Sequence, residues 1–231
     1  MTTFASTADP LAMPPLATAD SPRTLREALP IFLRHGSPRV LIAACLTAIA
    51  WRVHLGNIST WDLLPIIGLA AVWPIQEWLI HVFILHFKPI QLGGRTIDFR
   101  VPKKHRAHHS DPWNYDILFI PMQSFVYSLP IVYLLWHLVT PNATLAWTGI
   151  VTYLLLALHY EWIHYMVHTR FTPRTRYYQR IWKNHRLHHF KNENYWFGVT
   201  RLEGDWMLRT QPGAKQVPLS PTAKSLFGQA A

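Results

Sequence analysis

One cysteine, Cys45, in 231 residues leaves no second thiol, which excludes an internal disulfide and any metal site built on cysteine ligands. Charge is scarce as well, at 15% of the chain against roughly 25% in an ordinary soluble domain. Carboxylates are the rarer sign, 12 against 22 Lys and Arg, so a calcium or magnesium site, which needs clustered oxygen ligands, is disfavoured. Residues 1–20 hold no Lys or Arg and no continuous apolar core, and Pro10, Pro14 and Pro15 interrupt any helix. That segment is expected to be a disordered tail, with no secretory signal.

What the chain has instead is apolar length. Residues 21–37 are expected to form an amphipathic helix at a membrane surface, with Leu25, Leu29 and Phe32/Leu33 at helical spacing against Arg23, Arg26 and Arg34. Four apolar stretches follow: Val40–Leu55, Trp61–Phe87, Ile117–Val139 and one from Ala143 to His168. The second, at about 1.5 Å per residue, is longer than a hydrocarbon core of roughly 30 Å. Short links at Gly56–Thr60 and Thr140–Asn142 make two hairpins whose tips share one face. The expected fold is therefore an all-α integral membrane protein, four transmembrane helices with a histidine-rich helical cap in the cytosol. A membrane domain over 38–210 and a C-terminal tail over 211–231 complete the organisation. Of the 22 basic residues only Arg52 lies near the hairpin face, which places both termini and the cap in the cytoplasm. The net charge of +10 thus follows from membrane topology, and no nucleic-acid partner is expected.

Histidine is the anomaly, with 14 in the chain. Ten fall into four boxes: His81 and His86; His105, His108 and His109; His164 and His168; His185, His188 and His189. In each HxxHH box, positions i, i+3 and i+4 share a helix face and can serve one centre or be divided between two neighbours. His81 and His86, five residues apart, lie roughly 140° apart on a regular α-helix. They converge only where the helix ends or widens, or where they approach two metals from one side. Ten imidazoles suit iron, zinc or copper, and a mononuclear zinc enzyme, with three protein ligands, would leave seven idle. Two metals with about five each use them all. His35, His54 and His137 belong to no box; His159 lies deeper than His164.

Two carboxylates flank the boxes. Glu77 precedes His81 by four residues and Glu161 precedes His164 by three, each on its histidine's face, where a carboxylate commonly accepts the outer N–H of a metal-bound imidazole. Asp111 and Asp116 are weaker candidates for that duty. An apolar substrate would enter from the lipid side along a groove lined by Trp73, Trp78, Phe83, Phe87, Trp162 and Tyr165. A membrane metal transporter, the reading of another class, would place its ligands along a mid-membrane path, whereas these boxes collect at one interface.

This ordered set of boxes, over roughly residues 60–200, resembles the fatty acid hydroxylase superfamily, also called the sterol desaturase family, of integral membrane di-iron enzymes. The resemblance implies that His81, His86, His105, His108, His109, His164, His168, His185, His188 and His189 ligate two ferrous ions, with zinc as an artificial occupant. It implies O2-dependent hydroxylation of an unactivated C–H bond in a membrane lipid (fatty acyl, sphingolipid, sterol or carotenoid), with desaturation as the alternative on the same site. The HxxxxH spacing of the first box looks like that of fatty acid 2-hydroxylases and carotenoid hydroxylases. The third box departs from the 2-hydroxylase pattern, because Thr169 stands where those enzymes have a second histidine. Some relatives carry a fused cytochrome b5 domain; here electrons are expected from a separate ferredoxin or cytochrome b5-like donor and its reductase.

Overall fold

The computed structural model describes residues 20–224 and 226; nearly all of the tail expected over 1–20 lies outside them. A short helix α1 (Leu25–Arg34) is capped by Thr24, whose hydroxyl accepts from Glu27 N–H, and α2 (Gly36–His54) follows after a break at His35. A 3₁₀ turn at Thr60–Asp62 leads into α3 (Leu63–Leu79), which continues as a π-helix over Ile80–Leu85. The chain then forms a small hairpin, β1 (Ile90–Leu92) against β2 (Arg95–Ile97), with Ile90 opposite Ile97. Gly93 and Gly94 turn it at φ of 57° and 74°, a left-handed pair that residues with a Cβ adopt only at a cost. Next come α4 (Arg100–Ser110), α5 (Tyr115–Leu118), α6 (Ser124–Val139), α7 (Ala143–Val167), α8 (Arg176–Phe190) and α9 (Glu203–Met207).

The four expected spans reduce to two. Among the described residues, only Thr60–Leu85 and Ala143–Val167 are long and apolar enough to cross a membrane. In α2, Arg39 and Arg52 bracket an apolar stretch over 40–51, about 18 Å of helix. The third stretch is divided at Pro121 into α5 and α6, and α6, 16 residues long, reaches only about 24 Å. Neither matches a core of roughly 30 Å. The fold is otherwise helical as expected, apart from the three-residue strands.

The central element is α7, which packs against α2, α3 and α6. Leu41, Cys45, Phe125, Val132, Ile150 and Leu154 form the core between α2, α6 and α7. At Gly149 the Trp136 ring approaches so closely that a Cβ would lie 2.2 Å from it, so only glycine admits the ring. At the hairpin end, Arg52 donates to Asp62 and to Thr148 Oγ1 at 2.6 Å each and to Gly56 O at 2.7 Å. This buried Arg52, paired with a carboxylate, ties α2, α7 and the start of α3 together; a buried charge is tolerable only with such partners. Elsewhere α3 and α6 expose large apolar side chains, among them Ile67, Val72, Leu134 and Leu138. So much exposed hydrocarbon on the long helices is the surface of an integral membrane protein.

Helix α1 divides its apolar residues between two surfaces. Ala28 and Phe32 are buried against Ile163 and Tyr165 of α7, whereas Leu25, Leu29 and Leu33 are exposed. The helix, capped by Thr24 and ending at Arg34, is shorter at both ends than the expected 21–37.

Candidate metal centre

Four helix ends meet at the pole opposite Arg52. The π-helical end of α3 carries His81, with His86 at its cap. There the His86 N–H donates to His81 O, five residues back, at 3.1 Å. This widened turn removes the angular mismatch of an α-helical HxxxxH and brings the two rings to 5.0 Å between centroids. His164 lies in the last turn of α7, and His168 caps it with φ −89° and ψ 17°. Both HxxHH boxes lie in the last turns of α4 and α8, so their three imidazoles project from one face.

All ten box histidines converge, in two groups of five. His81, His86, His105, His109 and His188 form one, and His108, His164, His168, His185 and His189 the other; within each group one ring nitrogen per residue lies within 4.8 Å of every other. The division follows one rule in both groups. Each takes an upstream pair, the i and i+4 histidines of the HxxHH box that follows, and the i+3 histidine of the other HxxHH box. The two groups touch where the His109 and His189 rings stack at 4.0 Å. His35, His54, His137 and His159 belong to neither. His35 hydrogen-bonds Ile31 O at 2.9 Å and stands 3.5 Å from Asp116, while His137 bonds Tyr133 O at 2.9 Å.

The donor set fits metal ions. Facing Nε2 atoms are 3.2 Å apart for His86 and His188, 3.2 Å for His108 and His168, and 3.0 Å for His168 and His185, near the roughly 3.0–3.4 Å expected of two imidazoles each about 2.1 Å from one ion. His81 and His109 give Nδ1–H to the carbonyls of Phe197 (2.6 Å) and Ala223 (2.8 Å), and their buried Nε2 atoms have no protein partner among the described residues. The buried Nε2 atoms of His105 and His164 are likewise unpartnered. A buried nitrogen lone pair with no donor is costly, and a shared cation removes that cost at every such atom. Burial also holds the rings outside the membrane-spanning segments in the neutral form that ligates metal: the pKa of His109 falls to about 3, and those of His105, His108, His168, His185, His188 and His189 lie well below 6.5.

Neither flanking carboxylate does what its position suggests. Among the described residues, no histidine hydrogen-bonds to Glu77 or Glu161. Glu77 accepts from Val199 N, Thr200 N and Thr200 Oγ1 and from Trp73 Nε1. Glu161 accepts from Ser37 Oγ and, at 2.9 Å, from Ile120 N. The outer N–H groups go to main-chain carbonyls instead: Phe197 for His81, Ala223 for His109, and Tyr195 for His188 at 2.8 Å. Asp205, fully buried, positions this loop by accepting from Phe197 N (2.9 Å), Gly198 N (2.7 Å), Asn184 Nδ2 (3.0 Å) and Thr210 Oγ1 (2.7 Å). Burial raises its pKa against these four donors. Glu77 and Asp205 thus clamp residues 197–200 from two sides. Sequence spacing gave no signal for Asp205 or for the main-chain carbonyl of Ala223, because both reach the site through loops.

Beside the histidines lies an apolar cavity of about 290 Å³ whose wall includes His105, His108 and His164. Of the six aromatic residues expected to line a groove, only Trp73 does so. Trp78 turns to Thr210 Oγ1 at 2.9 Å, Phe83 and Phe87 are exposed, Trp162 packs on Phe32, and the Tyr165 hydroxyl donates to Ala28 O at 3.2 Å. Thr169 is also buried and closes the helix end by donating to Met166 O at 2.7 Å.

The fatty acid hydroxylase family profile matches residues 66–210. The chain is 24% identical over 209 residues to a dihydroceramide fatty acyl 2-hydroxylase of Arabidopsis thaliana, covering 87% of this chain and 84% of that one. It is 27% identical over 142 residues to human fatty acid 2-hydroxylase, covering 60% of this chain and 37% of the human protein. A solved structure of full-length Scs7p, with only its hydroxylase domain visible, superposes with a TM-score of 0.59 at 22% identity, over 87% of this chain and 70% of that one; it shares the fold. With its two five-histidine groups and an apolar cavity beside them, the chain belongs to the fatty acid hydroxylase family, histidine-box enzymes whose hydroxylase-type chemistry acts on a membrane lipid.

Proposed function

We propose that the protein hydroxylates the acyl chain of a membrane lipid close to its polar end, using O2 and two ferrous ions held by the ten box histidines. The observation that carries this reading is the cavity wall: His105 from one group and His108 and His164 from the other border the same apolar space. Bound there, an iron pair would supply the O2 activation that an unactivated C–H bond requires. The protein's own part is placement and exclusion. Leu41, Leu129, Val132 and Leu154 line the cavity with hydrocarbon, which holds a chain without fixing its register and keeps water away.

The cavity reaches the surface through Ile84 and Tyr127, 50% and 52% exposed. They stand on α3 and α6, the helices with the broadest exposed apolar surface, so a lipid tail could enter sideways from the bilayer. The relatives named as 2-hydroxylases support reaction near the carbonyl. The clustering of basic residues at the histidine pole and in the N-terminal segment supports a cytoplasmic site, with electrons from a separate ferredoxin or cytochrome b5-like protein and its reductase.

The test is mass spectrometry of total lipids from cells with and without the protein, together with metal analysis of the purified chain. A gain of one oxygen in acyl chains and about two irons per chain are expected. A loss of two hydrogens instead would make it a desaturase, and unchanged lipids would overturn the reading.

A further inference from the structure

The cavity is apolar except for a few groups, and two of those are buried polar atoms left without a partner. Glu161 is fully buried; its Oε1 accepts from Ser37 and Ile120, whereas Oε2 has no partner among the described residues. Ser124 is 8% exposed, and its Oγ is also unpartnered. Both residues line the cavity, and they are linked through one segment: Ile120, which donates to Glu161, lies four residues before Ser124. An unsatisfied buried carboxylate oxygen costs on the order of 1–3 kcal/mol or more; Lys104, which lines the same cavity, opposes its charge without hydrogen-bonding it, so two residues of one cavity wall carry polar atoms that a bound ligand can satisfy.

We propose that Glu161 Oε2 and Ser124 Oγ form a polar subsite that anchors the head-group end of the lipid and thereby sets which carbon lies at the histidines. This rests on the hydroxylase reading above. The pair offers one acceptor and one hydroxyl donor, which matches a ligand presenting a hydrogen-bond donor next to a carbonyl: an amide, or a hydroxyl beside an ester. A simple ester without a donor leaves Oε2 unsatisfied. Register follows from helix geometry. Glu161 precedes the cavity-lining His164 by three residues, a rise of about 4.5 Å along α7. A group bonded at Glu161 therefore holds only the first few carbons of the acyl chain near the histidines.

The test compares N-ethyl dodecanamide with ethyl dodecanoate, which differ in one N–H, as ligands of the purified full-length protein by thermal unfolding in detergent. Wild type should bind the amide roughly ten- to hundredfold more tightly. Glu161→Gln keeps an acceptor for Ser37 and Ile120 but turns Oε2 into a donor, so the preference should vanish; Ser124→Ala should reduce it. In cells, wild type should place the hydroxyl at one carbon near the carbonyl, and both variants should spread it along the chain at unchanged metal content. Equal binding of amide and ester by wild type would overturn the subsite, as would full discrimination in both variants or loss of metal in Ser124→Ala. If Glu161→Gln fails to fold, Ser124→Ala decides alone. If wild type leaves cellular lipids unhydroxylated, the hydroxylase reading fails while the binding comparison still decides the subsite.

Discussion

The two histidine groups follow the same rule of assembly and differ in what holds them from outside. In the group at the end of α3, His81, His109 and His188 each give an outer N–H to a main-chain carbonyl, from Phe197, Ala223 and Tyr195. In the group at the end of α7, the outer nitrogens His108 Nδ1, His185 Nδ1 and both nitrogens of His189 are unpartnered among the described residues, and its rings meet chiefly one another. The first centre is thus oriented by the polypeptide before any metal arrives. The second depends on packing and on the ion itself. Second-sphere hydrogen bonds fix ring orientation and raise ligand basicity, so the two centres should differ in affinity although each has five imidazoles.

The largest test crosses the groups. His108→Ala removes a ligand of the second centre from α4, and His188→Ala one of the first centre from α8. Each should lower lipid hydroxylation to background and remove about one metal per chain, read by product analysis and elemental analysis of the same preparation. Asp205→Ala should then separate the centres. With the carboxylate that holds Phe197 and Gly198 gone, the first centre should lose about 10- to 100-fold in metal affinity, while the second keeps its own. Stepwise chelation of the wild-type protein probes the comparison directly: the second centre should empty first, and a single release step would erase the asymmetry.

A smaller effect concerns acid. The buried ring pKa values of His105, His108, His168, His185 and His189 lie well below 6.5, so between those values and 6.5 the unfolded chain binds more protons than the folded one. Stability of the metal-free protein should fall as pH drops below about 6.5 and be flat above it. Thermal unfolding in detergent from pH 7.5 to 5.5 checks this. The smallest change is expected from His54→Ala and His137→Ala, outside both groups: stability within about 0.5 kcal/mol and unchanged turnover.

The ten box histidines were legible because their spacing is a local property. In an HxxHH box, i, i+3 and i+4 share a helix face whatever the helix packs against, and two such boxes with two upstream pairs lead to the expectation of two histidine clusters, which the structure contains. The 140° mismatch between His81 and His86 was legible too, as a demand for irregular helix at that place, and the π-helix over Ile80–Leu85 meets it. Span number differs from the expectation because apolar composition alone ignores Arg39 and Arg52 toward the ends of α2 and Pro121 between α5 and α6.

By itself the sequence determined the helices, the boxes and the apolar surface, since each depends on residues within one or two turns of one another. The tertiary structure alone decided that His108 and His188 cross to the opposite group, that Glu77 holds a loop rather than a histidine, and that Tyr195, Phe197 and Ala223 orient the rings. Those contacts join segments as far apart as the 123 residues between Glu77 and Thr200. At such separations no spacing rule operates, and only the way α3, α4, α7 and α8 pack determines which atoms meet.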